Sequence, residues 1–347
     1  MRKSRQIMVG GVPIGGGAPV SVQSMTNTDT KNVFATIGQI MELAEAGCEI
    51  VRVAVPDEAA ASALSDIVSA SPIPVVADIH FDYRLALASL EAGIGCLRLN
   101  PGNIGERWKV EEVVKAAKDR LVPIRIGVNA GSLDQKLLQK HGKPTAQAMV
   151  ESALGHIAIL EELDFFDIKV SLKASSINLT VEAYRILADK VDYPFHIGIS
   201  EAGTRFGGTI KSSAGIGILL SSGLGDTVRV SLTDNPIQEV KVAYEILKVL
   251  AIRQIDPEII SCPTCGRCDI DLIKTAEEVT EALRGMKKPI KVAVMGCTVN
   301  GPGEAREADI GVAGGNGFGL IFRNGEIIRK VKSDQLRDAL LEEVDKL

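Results

Sequence analysis

Up to about residue 254 the chain alternates short β-branched runs with longer stretches whose apolar residues recur every three or four positions. The runs read VSVQSMT from Val20, EIVRVAV from Glu49, PVVADI from Pro74 and CLRLNP from Cys96. VPIRIGV from Val122, DFFDIKVSL from Asp164, PFHIGI from Pro194 and TVRVSL from Thr227 follow. Apolar runs of this length bounded by turn residues predict strands, and the intervening period, as in NVFATIGQIMELAEAG, predicts amphipathic helices. The last helix is expected from Pro236 to about Ile252, where DPE breaks the pattern. Eight strand-then-helix units predict a (β/α)8 barrel of the TIM type, an α/β fold. Ahead of it, Gly10, Gly11 and Gly15 to Gly17 separate short apolar pieces, which predicts a hairpin closing the barrel bottom.

After residue 254 the period changes. A cysteine loop, a helix near Ile270 to Met286, a strand IKVAVM, a glycine-rich turn, the hairpin-like GLIFRNGEIIRKV and a charged terminal helix follow. They predict a smaller α+β domain, so the expected division is a barrel over residues 1–254 and a second domain over 255–347.

Composition narrows the classes. Hydrophobic residues make up 46% but aromatics only 4%, so the core must be aliphatic, as in parallel strands covered by alanine-rich helices. A net charge of −5 argues against a general nucleic-acid binder. No apolar stretch is long enough for a signal core or a membrane span, so the expected location is the cytoplasm, with no membrane partner. Thiols stay reduced there, and clustered cysteines then ligate metal or do redox work. Cys48 and Cys96 stand alone and read as buried apolar filler.

The strands carry charge where a barrel is usually apolar: Arg52, Arg98, Arg125 and Arg229, with Lys169 and Lys173 at the end of the sixth. One such residue fits an outward salt bridge as well as a site. Five strands bearing cations need compensation, because buried like charges repel. A phosphate-bearing ligand supplies it, since guanidinium grips phosphate oxygens as a fork. Polar groups beside them can orient or protonate a ligand: Asp78, His80, Asn100, Asn129 and Glu201, the last being the best acid because it directly follows a strand. Asn100 before Pro101 also suits a turn, and His80 a hydrogen-bonded rim position.

Two cysteine elements lie in the second domain, SCPTCGRCDI (261–270) and MGCTVNGPGEA (295–305). Cys262 and Cys265 can chelate one metal, Cys268 extends the spacing and Cys297 arrives after a predicted strand. Spacing alone allows a four-thiolate site of Cys262, Cys265, Cys268 and Cys297 holding zinc or an iron–sulfur cluster. The glycines and Pro302 of the second element force a tight loop that brings backbone N–H groups near sulfides, which favours a cluster.

From VQSMTNTDT through RLNPGNIG, SLKASS, HIGISEAG and DTVRVSL to GCTVNGPGEA, the whole chain resembles the bacterial 4-hydroxy-3-methylbut-2-enyl diphosphate synthases of the non-mevalonate isoprenoid pathway. The resemblance implies reductive ring opening of 2-C-methyl-D-erythritol 2,4-cyclodiphosphate to hydroxymethylbutenyl diphosphate and water. It implies a [4Fe–4S] cluster on Cys262, Cys265, Cys297 and Glu304, a carboxylate being the weaker, departing ligand. Arg52, Arg98, Arg125, Lys173 and Arg229 would hold the diphosphate with Asn129 and Ser231, and Glu201 would protonate the leaving hydroxyl. A ferredoxin or flavodoxin donor is implied, as is a homodimer whose active site is shared between subunits. Cys268 departs from the family pattern. Two rivals fit parts of the sequence, a pterin-type barrel transferase with a zinc appendage and a zinc-ribbon interaction module on a degenerate barrel. Neither explains a glutamate in the second metal loop together with the strand cations.

Overall fold

The structure, a computed structural model, describes residues 1–298, 303 and 305–347. It divides into two compact units, Met1–Arg253 and Gln254–Leu347. The first begins with an antiparallel hairpin of β1 (Ile7–Val9) and β2 (Val12–Ile14), turned at Gly10 with φ of +55°. Ile7, Val9 and Ile14 pack with Ile50, Val76 and Cys96, near the starts of three barrel strands, and so plug the amino-terminal end.

Eight strands follow: β3 (Ser21–Met25), β4 (Ile50–Ala54), β5 (Val75–Asp78), β6 (Cys96–Arg98), β7 (Ile124–Asn129), β8 (Ile168–Lys173), β9 (His196–Ile197) and β10 (Thr227–Val228). They are parallel, in the order β8-β7-β6-β5-β4-β3-β10-β9, and a bridge from Val170 to Phe195 brings β8 beside β9 to close the ring. Alternation sends one set of side chains out to the helices. Val22, Val51, Val53, Leu97, Ile126 and Val170 are fully buried there, and each such side chain contributes about 1.5–3 kcal/mol on burial. Asn32, Asp57, Thr145, Ser176 and Asn235 each accept a backbone N–H in the first turn of the next helix. These caps fix the turns at the carboxyl ends of the strands, the face that carries chemistry in such barrels. Cys48 and Cys96 are buried.

The second unit is a five-stranded sheet in the order β11 (Glu258–Ser261), β12 (Lys291–Met295), β13 (Ile310–Gly315), β14 (Phe318–Arg323) and β15 (Glu326–Lys332). The first three strands are parallel and the last two antiparallel. Helices Leu272–Ala282 and Leu336–Val344 pack Leu272, Val279, Leu336 and Leu340 against Val292, Val294, Val312 and Ile321.

Two helix bounds differ from expectation. The helix begun at Pro236 stops at Val249, because Ala251 takes a left-handed φ of +51°. The helix expected over Ile270–Met286 is Leu272–Ala282: Asp271 caps it through the Lys274 N–H, and Gly285 is left-handed beyond its end. No helix among the described residues is long and apolar enough to cross a membrane.

Candidate active site

Asp78 pairs across the sheet with Arg98, Arg98 with Arg125, and Arg125 with Lys169, so these four side chains share the inward face. Arg98, Arg125, Lys169 and Lys173 are buried. Arg98 Nη1 lies 3.1 Å from Asp78 Oδ1 and Arg52 Nε 3.6 Å from Oδ2. Arg229 Nε lies 3.5 Å from Glu239 Oε2. Asp78 and Glu239 are the buried acids of this unit among the described residues, facing Arg52, Arg98, Arg125, Lys169, Lys173 and Arg229. Positive charge is therefore in excess.

The titration of these groups reflects the excess. Burial, then repulsion from Arg98, pushes Arg125 down to about 10. Burial brings Lys169 to about 8. Lys173 falls well below its ordinary value through burial and then Arg229, Arg125 and Arg52. Burial likewise lowers Arg52 against the attraction of Asp78. Burial alone would raise Asp78, but Arg52, Arg98 and Arg125 together hold it below the usual carboxylate range. Arg98 Nε, Arg125 Nε and Nη1, and Lys169 Nζ are buried with no hydrogen-bond partner among the described residues. Orphaned cationic donors of this kind suit a polyanionic ligand.

Arg98, Arg125 and Lys169 lie in register across β6, β7 and β8, whereas Lys173 stands four residues further along β8, at its carboxyl end. Lys169, expected at the end of the sixth strand, is thus a deeper residue than its neighbour Lys173. Two glycines make room for Arg98 and Lys173. A Cβ on Gly127 would stand 2.9 Å from Arg98 Nε, and one on Gly198 would stand 2.9 Å from Lys173 Nζ.

The neutral and acidic candidates separate by position. Asn129 ends β7 opposite Lys173 and lines a cavity of about 520 Å³ with Ser200 and Glu201. Glu201 is exposed and left-handed, with φ of +52°. Ser231 is half-buried two residues beyond Arg229. Asn100 turns its amide to the backbone instead: Nδ2 donates to the Gly127 carbonyl at 2.9 Å, and Oδ1 accepts the Gly127 N–H at 2.8 Å. It extends the β6–β7 ladder beyond Arg98. His80 sits at the rim, its ring nitrogens 3.1 and 3.2 Å from Arg98 Nη1, and burial followed by Arg98 lowers its pKa.

Sequence reasoning passed over Glu239 and His196. Glu239 accepts from Ser24 Oγ at 2.9 Å and the Leu232 N–H at 3.0 Å while facing Arg229, so it ties β3, the segment after β10 and a helix together. Its signal was an acid on the apolar stripe with Ala243 and Ile246. His196 is fully buried beside Thr227 in register, and its signal was alternation with Gly198.

In the second unit, Cys262 directly follows β11 and Cys297 follows β12 after one residue, at the carboxyl ends of neighbouring parallel strands. The Gly296 N–H donates to Cys262 Sγ at 3.3 Å, as expected beside a thiolate that binds metal. Cys297 is buried, Cys262 half-buried and Cys265 exposed. Among the described residues no three His, Cys, Asp or Glu side chains converge on a metal position. Glu304 lies outside the described residues. The donor set itself, soft thiols beside a backbone N–H, fits an iron–sulfur centre or zinc.

These features define a class: a (β/α)8 barrel lined with buried cations and followed by a thiol-bearing α+β domain. Residues 4–244 match the GcpE TIM-barrel domain and residues 258–346 the GcpE protein C-terminal domain. The chain belongs to the GcpE family. It is 67% identical over 345 residues to the 4-hydroxy-3-methylbut-2-en-1-yl diphosphate synthase (flavodoxin) of Geobacter sulfurreducens, covering 99% of this chain and 98% of that one. The protein of the same name from Thermodesulfovibrio yellowstonii is 61% identical and covers 99% of both. A solved N-acetylneuraminic acid synthetase from Leptospira borgpetersenii aligns at TM-score 0.51 with 14% identity, over 82% of this chain and 99% of that one. At that identity the likeness shows the fold alone.

Proposed function

We infer that this chain is an oxidoreductase that opens the ring of 2-C-methyl-D-erythritol 2,4-cyclodiphosphate, giving 4-hydroxy-3-methylbut-2-enyl diphosphate and water with two electrons from flavodoxin. Its relatives carry that synthase's name over nearly their whole length. The observation that supports the substrate most directly is the set of buried, partly orphaned cations that outnumber Asp78 and Glu239, the buried acids of this unit among the described residues. A cyclic diphosphate supplies the missing negative charge, and its oxygens accept the orphaned N–H groups.

Arg52, Arg98, Arg125, Lys173 and Arg229 grip the diphosphate, with Asn129 and Ser231 as neutral partners. Asp78 aligns Arg52 and Arg98, and Glu239 aligns Arg229. Glu201 protonates the departing hydroxyl. Its left-handed backbone supports the role, since strain of this kind collects at functional positions. Cys262, Cys265, Cys297 and Glu304 hold a [4Fe–4S] cluster, which when bound supplies single electrons and a Lewis-acidic iron. Phe34, Phe81 and Phe206 are 90%, 71% and 80% exposed in segments that follow barrel strands. Their exposed rings support a homodimer in which a second copy covers the barrel mouth. The proposed location is the cytoplasm, where clustered thiols stay available to ligate metal.

Turnover of the cyclic diphosphate under anaerobic conditions with reduced flavodoxin tests the reading. Chain with about four irons should form the linear diphosphate, and iron-loaded chain that forms none overturns the assignment. Arg98→Ala and Arg125→Ala should each weaken substrate binding by about 1.5–3 kcal/mol with an unchanged cluster spectrum. Normal affinity in both variants, measured by calorimetry, would move the diphosphate elsewhere.

A further inference from the structure

Cys268 belongs to the cysteine-rich loop, yet the ligand set above gives it no task. Its side chain is half-buried, and its Sγ donates to the Ile270 carbonyl at 3.2 Å. The Cys268 N–H bonds to the Cys265 carbonyl at 3.0 Å, closing a turn that carries Cys268 toward the apolar cluster around Leu272 and Val294. Cys262 packs against the same cluster.

Gly296 is the common neighbour of both sulfurs. Its N–H reaches Cys262 Sγ at 3.3 Å, and a Cβ built on it would stand 2.6 Å from Cys268 Sγ. Any side chain at position 296 would therefore displace Cys268. The segment between the two cysteines, residues 263–267, holds no helix or strand and contains Gly266 in a turn. Such a segment can adjust to the Cα separation of about 4.4–6.8 Å that a disulfide needs. Cys265 is exposed, whereas Cys262 and Cys268 are half-buried.

We propose that Cys262 and Cys268 form a thiol-oxidation site, linking as a reversible disulfide when the metal has left. The proposal rests on the reading of Cys262 as a metal ligand, because only a vacated ligand is free to react. With hydrogen peroxide as oxidant, the Cys262 thiolate attacks one oxygen and breaks the O–O bond. The departing hydroxide takes a proton from solvent to become water, and Cys262 is left as a sulfenic acid. Cys268 sulfur then attacks the Cys262 sulfur, the S–S bond forms, and the sulfenic hydroxyl leaves with the Cys268 proton as a second water. Two electrons pass from the thiol pair to the peroxide. The disulfide stops Cys262 short of the sulfinic acid, which reductants do not repair, and a dithiol restores both thiols for metal rebinding.

Trypsin provides the assay, since cleavage after Arg267 places Cys268 on a different peptide from Cys262 and Cys265. Full-length chain is stripped of metal anaerobically, treated with excess peroxide, which supplies the second oxidising equivalent that a sulfinic acid needs, and digested without reduction. The expected product is the two peptides joined, still joined in Cys265→Ser and absent in Cys268→Ser and Cys268→Ala. In the latter two Cys262 should appear as sulfinic acid, and the fraction of chain that regains iron after dithiol treatment should fall several-fold. Without peroxide, Cys268→Ser should rebuild a cluster with wild-type iron content and spectrum. A joined pair that disappears in Cys265→Ser, links only between chains, or undiminished iron recovery in the Cys268 variants would overturn the proposal. Iron content before stripping tests the metal reading separately: iron-free chain sinks that reading whatever the peptides show.

Discussion

At Lys169 the cost of charge inside the barrel is concentrated in one residue. Its Nζ is buried without a partner among the described residues, and burial holds its pKa at about 8 against an ordinary 10.5. Below about pH 8 folded and unfolded chains both carry the proton, and the residue adds no slope to stability. Between there and 10.5 the unfolded chain binds more proton, so stability rises with pH. Lys169→Met should lose that rise. Denaturant midpoints of the two substrate-free chains, compared from about pH 7.5 to about 9.5, should converge as pH increases; a constant gap would mean that Lys169 keeps its proton in the folded chain across that range. The residue types of the site were legible in the strands, because Arg and Lys in β-branched runs are conspicuous. Their depth was not, since depth depends on stagger between neighbouring strands, which no single strand records. Glu239 was hidden for a different reason: it lies on a helix, and its partners come from β3 and from beyond β10.

Among the elements, the glycines of β7 and of the segment after β9 divide the work of making space. At Gly127 an added Cβ meets Arg98 Nε at 2.9 Å, the movable end of a side chain. At Gly198 it meets the Arg229 carbonyl oxygen at 2.3 Å, which is backbone. Gly127→Ala should therefore raise KM for the cyclic diphosphate several-fold with little change in melting temperature, because Arg98 yields. Gly198→Ala should lower the melting temperature by several degrees, because the wall itself must shift. Equal melting temperatures, read by calorimetry, would mean that the backbone at Arg229 gives way freely. Strand order and number were legible from rhythm, as each strand–helix unit solves the same burial problem. Helix ends were less so. The stop at Val249 has no glycine or proline to announce it and depends on Ala251 adopting a left-handed turn.

For the whole molecule, the unbalanced cations make the folded chain depend on what fills the barrel. A ligand that binds only the folded form at a hundredfold excess over its Kd adds about 2.7 kcal/mol. A diphosphate held as proposed would also offset the repulsion among Arg98, Arg125 and Lys173. An empty barrel is then the more perishable one, and the supply of substrate becomes a determinant of how long each copy survives. In growing cells whose production of the cyclic diphosphate is blocked, pulse–chase labelling should give a shorter half-life for this chain, while Arg125→Met should turn over at one rate in both conditions. Equal wild-type half-lives would break the link. If it holds, the cell keeps this catalyst in proportion to its work without any dedicated regulator, because proteolysis itself reads the occupancy of the barrel.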